Sequence, residues 1–291
     1  MTPSTARLHA EANSSVHDTP GFLIQAAHKH QAEPASFVRA EVGHYRLRLA
    51  QTVQDRDEAC RLRFKVFNIE LGEGLDHAYS TGMDADRFDL FCDHLLVEDK
   101  LTRRIVGTYR MQSGESAARG MGYYSQQEFH LDPYEPLRPD VLELGRASID
   151  REHRTPEVLT LLWRGIAQYA MRYGLRYLIG CSSIHSQDPY EGWAMYHVLH
   201  SARSAPEFAT TPTAGYRCPV DERAGSAECG PNTPSEVKVP RLLKAYLAIG
   251  TRICSPPAWD RAFGTIDFLT LLDLKALSPA ARNRFLGSAA S

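Results

Sequence analysis

The sequence predicts an α+β fold, a central and mostly antiparallel twisted sheet flanked by helices. Three observations predict it. Apolar or alternating runs recur at 45–49, 94–98, 105–111, 141–149, 177–181 and 265–272. Amphipathic segments near 56–70 and at 156–173 fall between some of these runs but not all. The run 94–98 returns as 105–111 through the polar turn Asp99–Arg104, which reads as an antiparallel hairpin.

Element by element, order is expected to begin near His44. Tyr45, Leu47 and Leu49 alternate with Arg46, Arg48 and Ala50, a strand pattern. Asp55 or Asp57 can cap a helix over roughly 56–70 that Gly72 ends. Residues 73–92 read as a polar loop, followed by the hairpin. Gly114–Gly122 reads as loop and Ser125–Phe129 as a short helical turn. Val141–Ile149 is the next strand. Pro156 opens a helix to about Tyr173, with Leu159, Leu162, Trp163, Ile166 and Tyr169 on its apolar side, and Gly174 stops it. Tyr177–Cys181 is a strand and Pro189–Ser201 a helix. Residues 203–237 are rich in glycine and proline and read as an irregular insertion. Helices at Pro240–Leu247 and Pro279–Leu286 bracket a strand at Thr265–Leu272. The domain division is a flexible leader over 1–43, with a short surface-binding helix at Gly21–His30 as the alternative, and one domain over 44–291.

Composition narrows the function classes. The 291 residues carry a formal net charge of -2, so no basic field points to nucleic acid. No apolar run is long enough to span a bilayer, and the polar start lacks a signal pattern. The expectation is a cytoplasmic protein, with peripheral contact on the inner face of a membrane left open. Six scattered cysteines, with no C-x-x-C pair, read as reduced thiols and not as a metal site or disulfide framework.

The densest cluster of chemically useful residues is Leu142-Glu143-Leu144-Gly145-Arg146. In a regular strand Glu143 and Arg146 face opposite ways. A bulge at Gly145 would turn both to one cleft and free a backbone N–H for a developing oxyanion. The alternative is an internal ion pair that only orders the strand. Arg63 and Phe67 are four apart, hence on one helix face. Arg63 either meets a carboxylate of Asp84, Asp86 or Asp89 or is a surface residue. Asp86, Asp89 and Asp93 are either solvated turn residues or readers of a cationic amino acid. No calcium-loop pattern is present, and His94 at a strand start reads as structural rather than as a base. The turn and helix opening at Pro156 hold Arg154, Thr155, Pro156, Glu157 and Val158 without a glycine, a poor pyrophosphate cradle. A single phosphate, such as that of a carrier's phosphopantetheine arm, fits it better. Arg151, Arg154 and Arg164 would then meet an acidic carrier protein; the alternative is an ordinary helix cap. Ser182 lacks a G-x-S-x-G elbow.

These residues carry a resemblance. Arg61–Phe67, Phe88-Asp89 with Cys92–Val97, Ile105–Arg110, Gly122–Ser125 with Glu128-Phe129, Leu142–Arg146, Leu161–Ile166, Ile179–Ser183 and Gly264–Leu269 together resemble the ornithine-lipid N-acyltransferases, also labelled hemolysin-like, of the GNAT superfamily. A related skeleton occurs in acyl-homoserine-lactone synthases and N-acyl amino acid synthases. The lactone synthases carry a Trp after Glu-Leu-Gly, where this chain has Glu73 after Glu70-Leu71-Gly72.

The resemblance implies a GNAT-like fold and transfer of a 3-hydroxyacyl group from acyl carrier protein to the α-amino group of a small amino acid, ornithine first. It implies no cofactor beyond the acyl-carrier co-substrate and no metal. It also implies Glu143 and Arg146 as catalytic residues. The substrate would be bound by Arg63, Phe67, Asp86, Asp89, Asp93, Arg110 and Ser182, with Asp89 and Asp93 reading a side-chain ammonium. Rival expectations are another acceptor such as glycine, lysine or glutamine, a lactone synthase, or a silent acyl-binding or membrane-surface protein on the same fold.

Overall fold

The computed structural model describes residues 37–220 and 238–286. Two short strands, β1 (Ala40–Val42) and β2 (Tyr45–Leu49), pair antiparallel at the start. β1 precedes the expected onset at His44, and Val38 ahead of it is fully buried. Three residues are too few to show a period, so the sequence gives β1 no alternation signal. The rest of the expected leader lies outside the described residues.

Helix α1 (Val53–Phe64) is capped by Thr52, whose side chain accepts from Asp55 N–H while Asp55 answers to the Thr52 N–H. The expected aspartate cap is therefore the third helical residue of a capping box. From Lys65 to Leu71 the helix widens to π geometry and ends at left-handed Gly72. A short helix α2 (Ala78–Thr81) and a 3₁₀ turn Arg87–Leu90 interrupt the polar loop that follows.

The hairpin β3 (Asp93–Asp99) and β4 (Ile105–Ser113) forms as expected. After it, the stretch read as loop contains helix α3 (Gly114–Arg119), capped by Ser113. Strand β5 (Val141–Ile149) leads to α4 (Pro156–Tyr173), with Thr155 as cap and Gly174 at φ 68° as stop. Then come β6 (Tyr177–Ile184), α5 (Pro189–Val198), α6 (Arg241–Ala248), the short β7 (Arg252–Ile253) and β8 (Ala258–Asp260), β9 (Thr265–Asp273) and α7 (Pro279–Leu286). Of the expected insertion, residues 203–220 lie on the domain, with Thr210 N–H on the Cys254 carbonyl and Trp193 Nε1 on the Pro219 carbonyl. Residues 221–237 lie outside the described residues.

The sheet order is β1-β2-β3-β4-β5-β6-β9-β7, with β8 also on β9. Every pairing is antiparallel except β5 with β6. α4 packs across β1 to β5 and seals one face with Leu95, Val97, Tyr109, Met111, Leu142 and Leu178. α1 packs on β3, β4 and β5. Its Arg63 reaches the aspartate that Arg110 also meets, so it covers the face on which Arg110 alternates with Tyr109 and Met111.

Candidate active site

The parallel pairing of β5 and β6 stops at Glu143 and Ile179. Beyond that point β5 stays with β4 as far as Ile149, and β6 stays with β9 as far as Ile184. Strands that follow different neighbours diverge, and a cavity of about 1250 Å³ occupies the wedge. Gly180 sits where they part. A Cβ there would lie 2.2 Å from the Leu144 carbonyl oxygen, so the close approach requires glycine.

The cavity has two kinds of wall. On the α4 side Tyr109, Leu162, Trp163, Leu178 and Leu272 line it, and Tyr246 of α6 sets its ring 5.7 Å from Trp163. On the α1 side the lining is Arg110, Tyr124, Glu143, Arg146, Asp260 and Asp267. One wall suits an acyl chain and the other a charged molecule.

A bulge shapes the polar wall. Thr108 faces Ser148 and Arg110 faces Gly145, so β5 carries one extra residue and Arg146 and Ala147 have no registered partner. Arg146 itself takes the left-handed conformation at φ 53°. Gly145 does not, and a Cβ on it would meet nothing. The expected bulge exists, but its special residue is the arginine one position later. Such a conformation costs an ordinary residue roughly 1–2 kcal/mol and persists only where the surroundings over-determine it. They do so here. The Arg146 guanidinium lies over the rings of Tyr124 at 4.8 Å and Phe263 at 4.4 Å, and it faces Asp84 at 3.3 Å and Asp86 at 3.5 Å.

Arg146 is one corner of a buried network of three arginines and three aspartates. Fully buried Arg63 donates to Asp84 and to both oxygens of Asp89. Arg110 donates to both oxygens of Asp86 at 2.8 Å and to Asp89 at 3.3 Å. The charges balance, as burial requires. Burial raises the Asp89 carboxyl, but Arg63 and Arg110 outweigh it and hold it well below the usual carboxylate range. Burial keeps the adjacent His94 down at about 4, hence neutral.

The network sorts the expected site residues. Glu143, Arg146, Phe67, Arg110 and Ser182 line the cavity. Arg63, Asp86, Asp89 and Asp93 do not: the first three are spent on the network, and Asp93 accepts from the Tyr169 hydroxyl at 2.6 Å. Arg63 and Phe67 separate because the helix widens between them. Each π turn takes more residues, so positions four apart no longer stack. Ser182 shares a 3.1 Å hydrogen bond with Thr270. Arg151 is exposed, Arg164 is half-buried in α4, and Arg154 pairs with Glu70 at 2.8 Å.

Glu143 is buried with both oxygens engaged. Oε2 accepts from Tyr124 N–H at 2.8 Å, and Oε1 accepts from Ser125 N–H at 2.8 Å and from its hydroxyl at 2.5 Å. Burial pushes its carboxyl up, against the pull of the Ser125 and Tyr124 donors. A carboxylate offers about four lone-pair directions. One remains for a group in the cavity.

Comparison with known proteins decides the family. The Acetyltransferase (GNAT) domain matches residues 62–164. The L-ornithine N(alpha)-acyltransferase of Brucella abortus (strain 2308) is 31% identical over 274 residues, covering 86% of this chain and 94% of that protein. The protein of the same name from Rhizobium meliloti (strain 1021) is 31% identical over 270 residues, 90% of each chain. This chain belongs to the L-ornithine N(alpha)-acyltransferase family. It is an acyltransferase with a GNAT fold. Among solved structures, FeeM, an N-acyl amino acid synthase from uncultured soil microbes, is 11% identical with a TM-score of 0.48, covering 84% of this chain and 97% of that one. No helix among the described residues of the acyltransferase is long and apolar enough to cross a membrane.

Several cavity residues follow no sequence pattern that assigns them a role. Tyr124 stands in a matched stretch but follows no catalytic pattern. Asp260 and Asp267 follow none either, although the acid Asp267 inside the apolar run Thr265–Leu272 is a signal in the sequence. Gln112, opposite Glu143 in the ladder, is buried with neither amide atom bonded and lines the cavity.

Proposed function

We propose that this acyltransferase moves a 3-hydroxyacyl group from an acyl carrier protein thioester to the α-amino group of ornithine, giving lyso-ornithine lipid. One observation carries the reading: a single cavity with an apolar and a polar wall that meet where β5 and β6 part, beside Glu143. Its relatives bear the name of an enzyme acting on L-ornithine, which supports that acceptor.

The α-amine gives a proton to Glu143, directly or through a water, and attacks the thioester carbon. The C–N bond forms, the C–S bond breaks, and the phosphopantetheine sulfur leaves as a thiolate that is then protonated. A backbone N–H of the bulge at Arg146–Ala147 holds the oxyanion, a role their lack of ladder partners supports. Arg146 and Arg110, fixed by the aspartate network, receive the acceptor carboxylate.

Support for a carrier-linked donor comes from the α4 start. It has no glycine, Pro156 lacks a donor, and the Thr155 hydroxyl already meets Val158 N–H at 3.5 Å. Arg151, Arg154 and Arg164 are the proposed contacts for the acidic carrier. We read the enzyme as cytoplasmic, with Leu71 and Leu242, exposed at the cavity lining, as its contact with a membrane surface.

The test is a purified reaction of 3-hydroxyacyl carrier protein with a panel of amino acids, followed by thiol release and product mass. Ornithine should be preferred, and the coenzyme A thioester should serve about tenfold less well or worse. Preference for another amino acid would reassign the acceptor, and equal use of coenzyme A would remove the carrier.

A further inference from the structure

Beyond Glu143 on the polar wall, the cavity ends against acids that the charge network leaves out. Asp267 on β9 lines it together with Asp260 and Cys181. Glu128 stands behind, and one ligand atom from each of Glu128, Cys181 and Asp267 lies within 4.8 Å of the others. Glu128 is wholly buried and Asp267 is 4% exposed, so neither is a solvated surface acid. Neither oxygen of Glu128 nor Oδ1 of Asp267 has a hydrogen-bond partner of good geometry among the described residues; their neighbours are each other, Cys181, Ser183 and Thr265, none of which carries a positive charge. The buried Thr265 hydroxyl, two residues along the same face, is also left without a hydrogen bond of good geometry. Asp260, by contrast, spends one oxygen on the N–H groups of Ala262 and Phe263. Buried polar atoms are almost always paired, and an unpaired buried acid is costly. A cation arriving through the cavity would remove that cost.

The register puts this acid pair at a useful distance from the reaction centre. Glu143 pairs with Ile179, and Asp267 with Ser183 four residues further along β6. All four side chains share one sheet face with Cys181 between them. Four residues of strand rise offset the two acidic positions by roughly 13 Å along β6, and β6 lies between their strands, adding about 10 Å across the sheet, so their Cα atoms are roughly 16 Å apart. Both residues border one cavity, in which a three-carbon side chain with a nitrogen at each end can lie between them. The charges beside the pair are acidic: Asp260 acts on both, and each acid acts on the other.

We infer that Asp267, backed by Glu128, is the subsite that takes the distal ammonium of a diamino-acid acceptor and so selects ornithine over uncharged amino acids. This rests on the acceptor reading above. It moves side-chain recognition away from Asp89 and Asp93, which do not line the cavity. Burial pushes the Asp267 carboxyl up to about 6 and Glu128 well above the usual range, so near neutral pH Asp267 is the member of the pair that carries the negative charge.

Two measurements test it. The first compares kcat/KM for ornithine and for norvaline, its uncharged analogue, in the wild type, Asp267→Asn and Glu128→Gln. The ornithine-to-norvaline ratio should fall about thirtyfold or more in Asp267→Asn, as when one partner of a buried charge pair is truncated. An unchanged ratio overturns the subsite. The second measures thermal stabilisation at pH 8 by ornithine and by norvaline without any acyl donor. Ornithine should stabilise the wild type more than norvaline does, and Asp267→Asn should lose the difference. Equal stabilisation by the two amino acids in the wild type overturns the subsite. So does a divalent metal that stabilises the wild type but not Asp267→Asn. Selective ornithine binding without acyl transfer would overturn the proposed reaction and leave the subsite standing.

Discussion

Arg63 grips Asp89 through two parallel hydrogen bonds, 2.8 Å from Nη1 to Oδ1 and 2.7 Å from Nη2 to Oδ2. This fork ties α1 to the 3₁₀ turn ahead of β3, and Asp89 passes the restraint on to Arg110 on β4. The pair is therefore part of the frame that presents Arg110 and Arg146. Arg63→Met should leave Asp84 and Asp89 short of a buried partner and cost about 3–5 kcal/mol. Urea unfolding measures it, and a loss under about 1 kcal/mol would show the network to be dispensable.

Glu143 has two tasks with different signatures. It anchors Tyr124 and Ser125, and in the proposed reaction it accepts a proton. Glu143→Gln turns an amide N–H₂ toward donors that need an acceptor, and turnover should fall about tenfold or more while the fold survives. The raised carboxyl pKa gives the wild type a loss of kcat/KM as pH falls through that value, because only the carboxylate can take the proton. Glu143→Gln should lose this acidic limb. A variant that is slow but keeps the same pH profile would assign Glu143 to anchoring alone.

Some of this site is legible in the sequence and some is not, for physical reasons. Helix 156–173 is readable because Thr155, Pro156 and Gly174 are local signals that agree with the apolar period. Strand 141–149 is readable from its apolar ends, and its bulge from Gly145. Which residue goes left-handed depends on Tyr124 and Phe263, and their distance in sequence hides it. The sequence leaves Arg63 open between a surface position and a carboxylate partner, and the fate of Asp89 is not readable from it. Whether an aspartate reads substrate or holds an arginine is decided by contacts between α1 and a loop more than twenty residues away, which no local pattern records. Helix α3 is missed because its six residues begin at a glycine and are too few to show a period.

Gly180 tests the wedge itself. A Cβ 2.2 Å from the Leu144 carbonyl oxygen cannot be accommodated by a side-chain shift, since the obstacle is backbone. Gly180→Ala should force β5 and β6 apart where they separate. It should cost about 1–3 kcal/mol and lower kcat more than stability alone explains. Gly145→Ala, where a Cβ meets nothing, is the matched control and should stay within about 1 kcal/mol of the wild type. Denaturation midpoints and steady-state rates on both variants check the pair. Equal effects would mean that the approach of Gly180 to Leu144 does not set the cleft.

Asp267 links the acceptor subsite to stability, and the sign can be worked out. Burial raises its pKa in the folded protein to about 6 from an ordinary 3.8, opposed by Ser183 and helped by Asp260. The folded state therefore holds this proton more tightly than the unfolded state does. The advantage is complete below about 4 and is lost as pH rises through about 6, above which the native protein carries a buried charge. Glu128, Asp260 and Cys181 surround it and add no positive charge. Asp267→Asn should thus stabilise the empty enzyme at pH 8 by roughly 2–3 kcal/mol relative to its effect at pH 4. Differential scanning calorimetry of both proteins at the two pH values reads the difference, since titrating groups remote from Asp267 cancel between them, and repeating it in a Glu128→Gln background removes the one acid coupled to it. A pH-independent difference would mean that Asp267 is not held as a strained acid. The predicted result is an enzyme that gains stability by losing its selectivity, because the charge that burdens the empty pocket is the one an incoming ammonium needs.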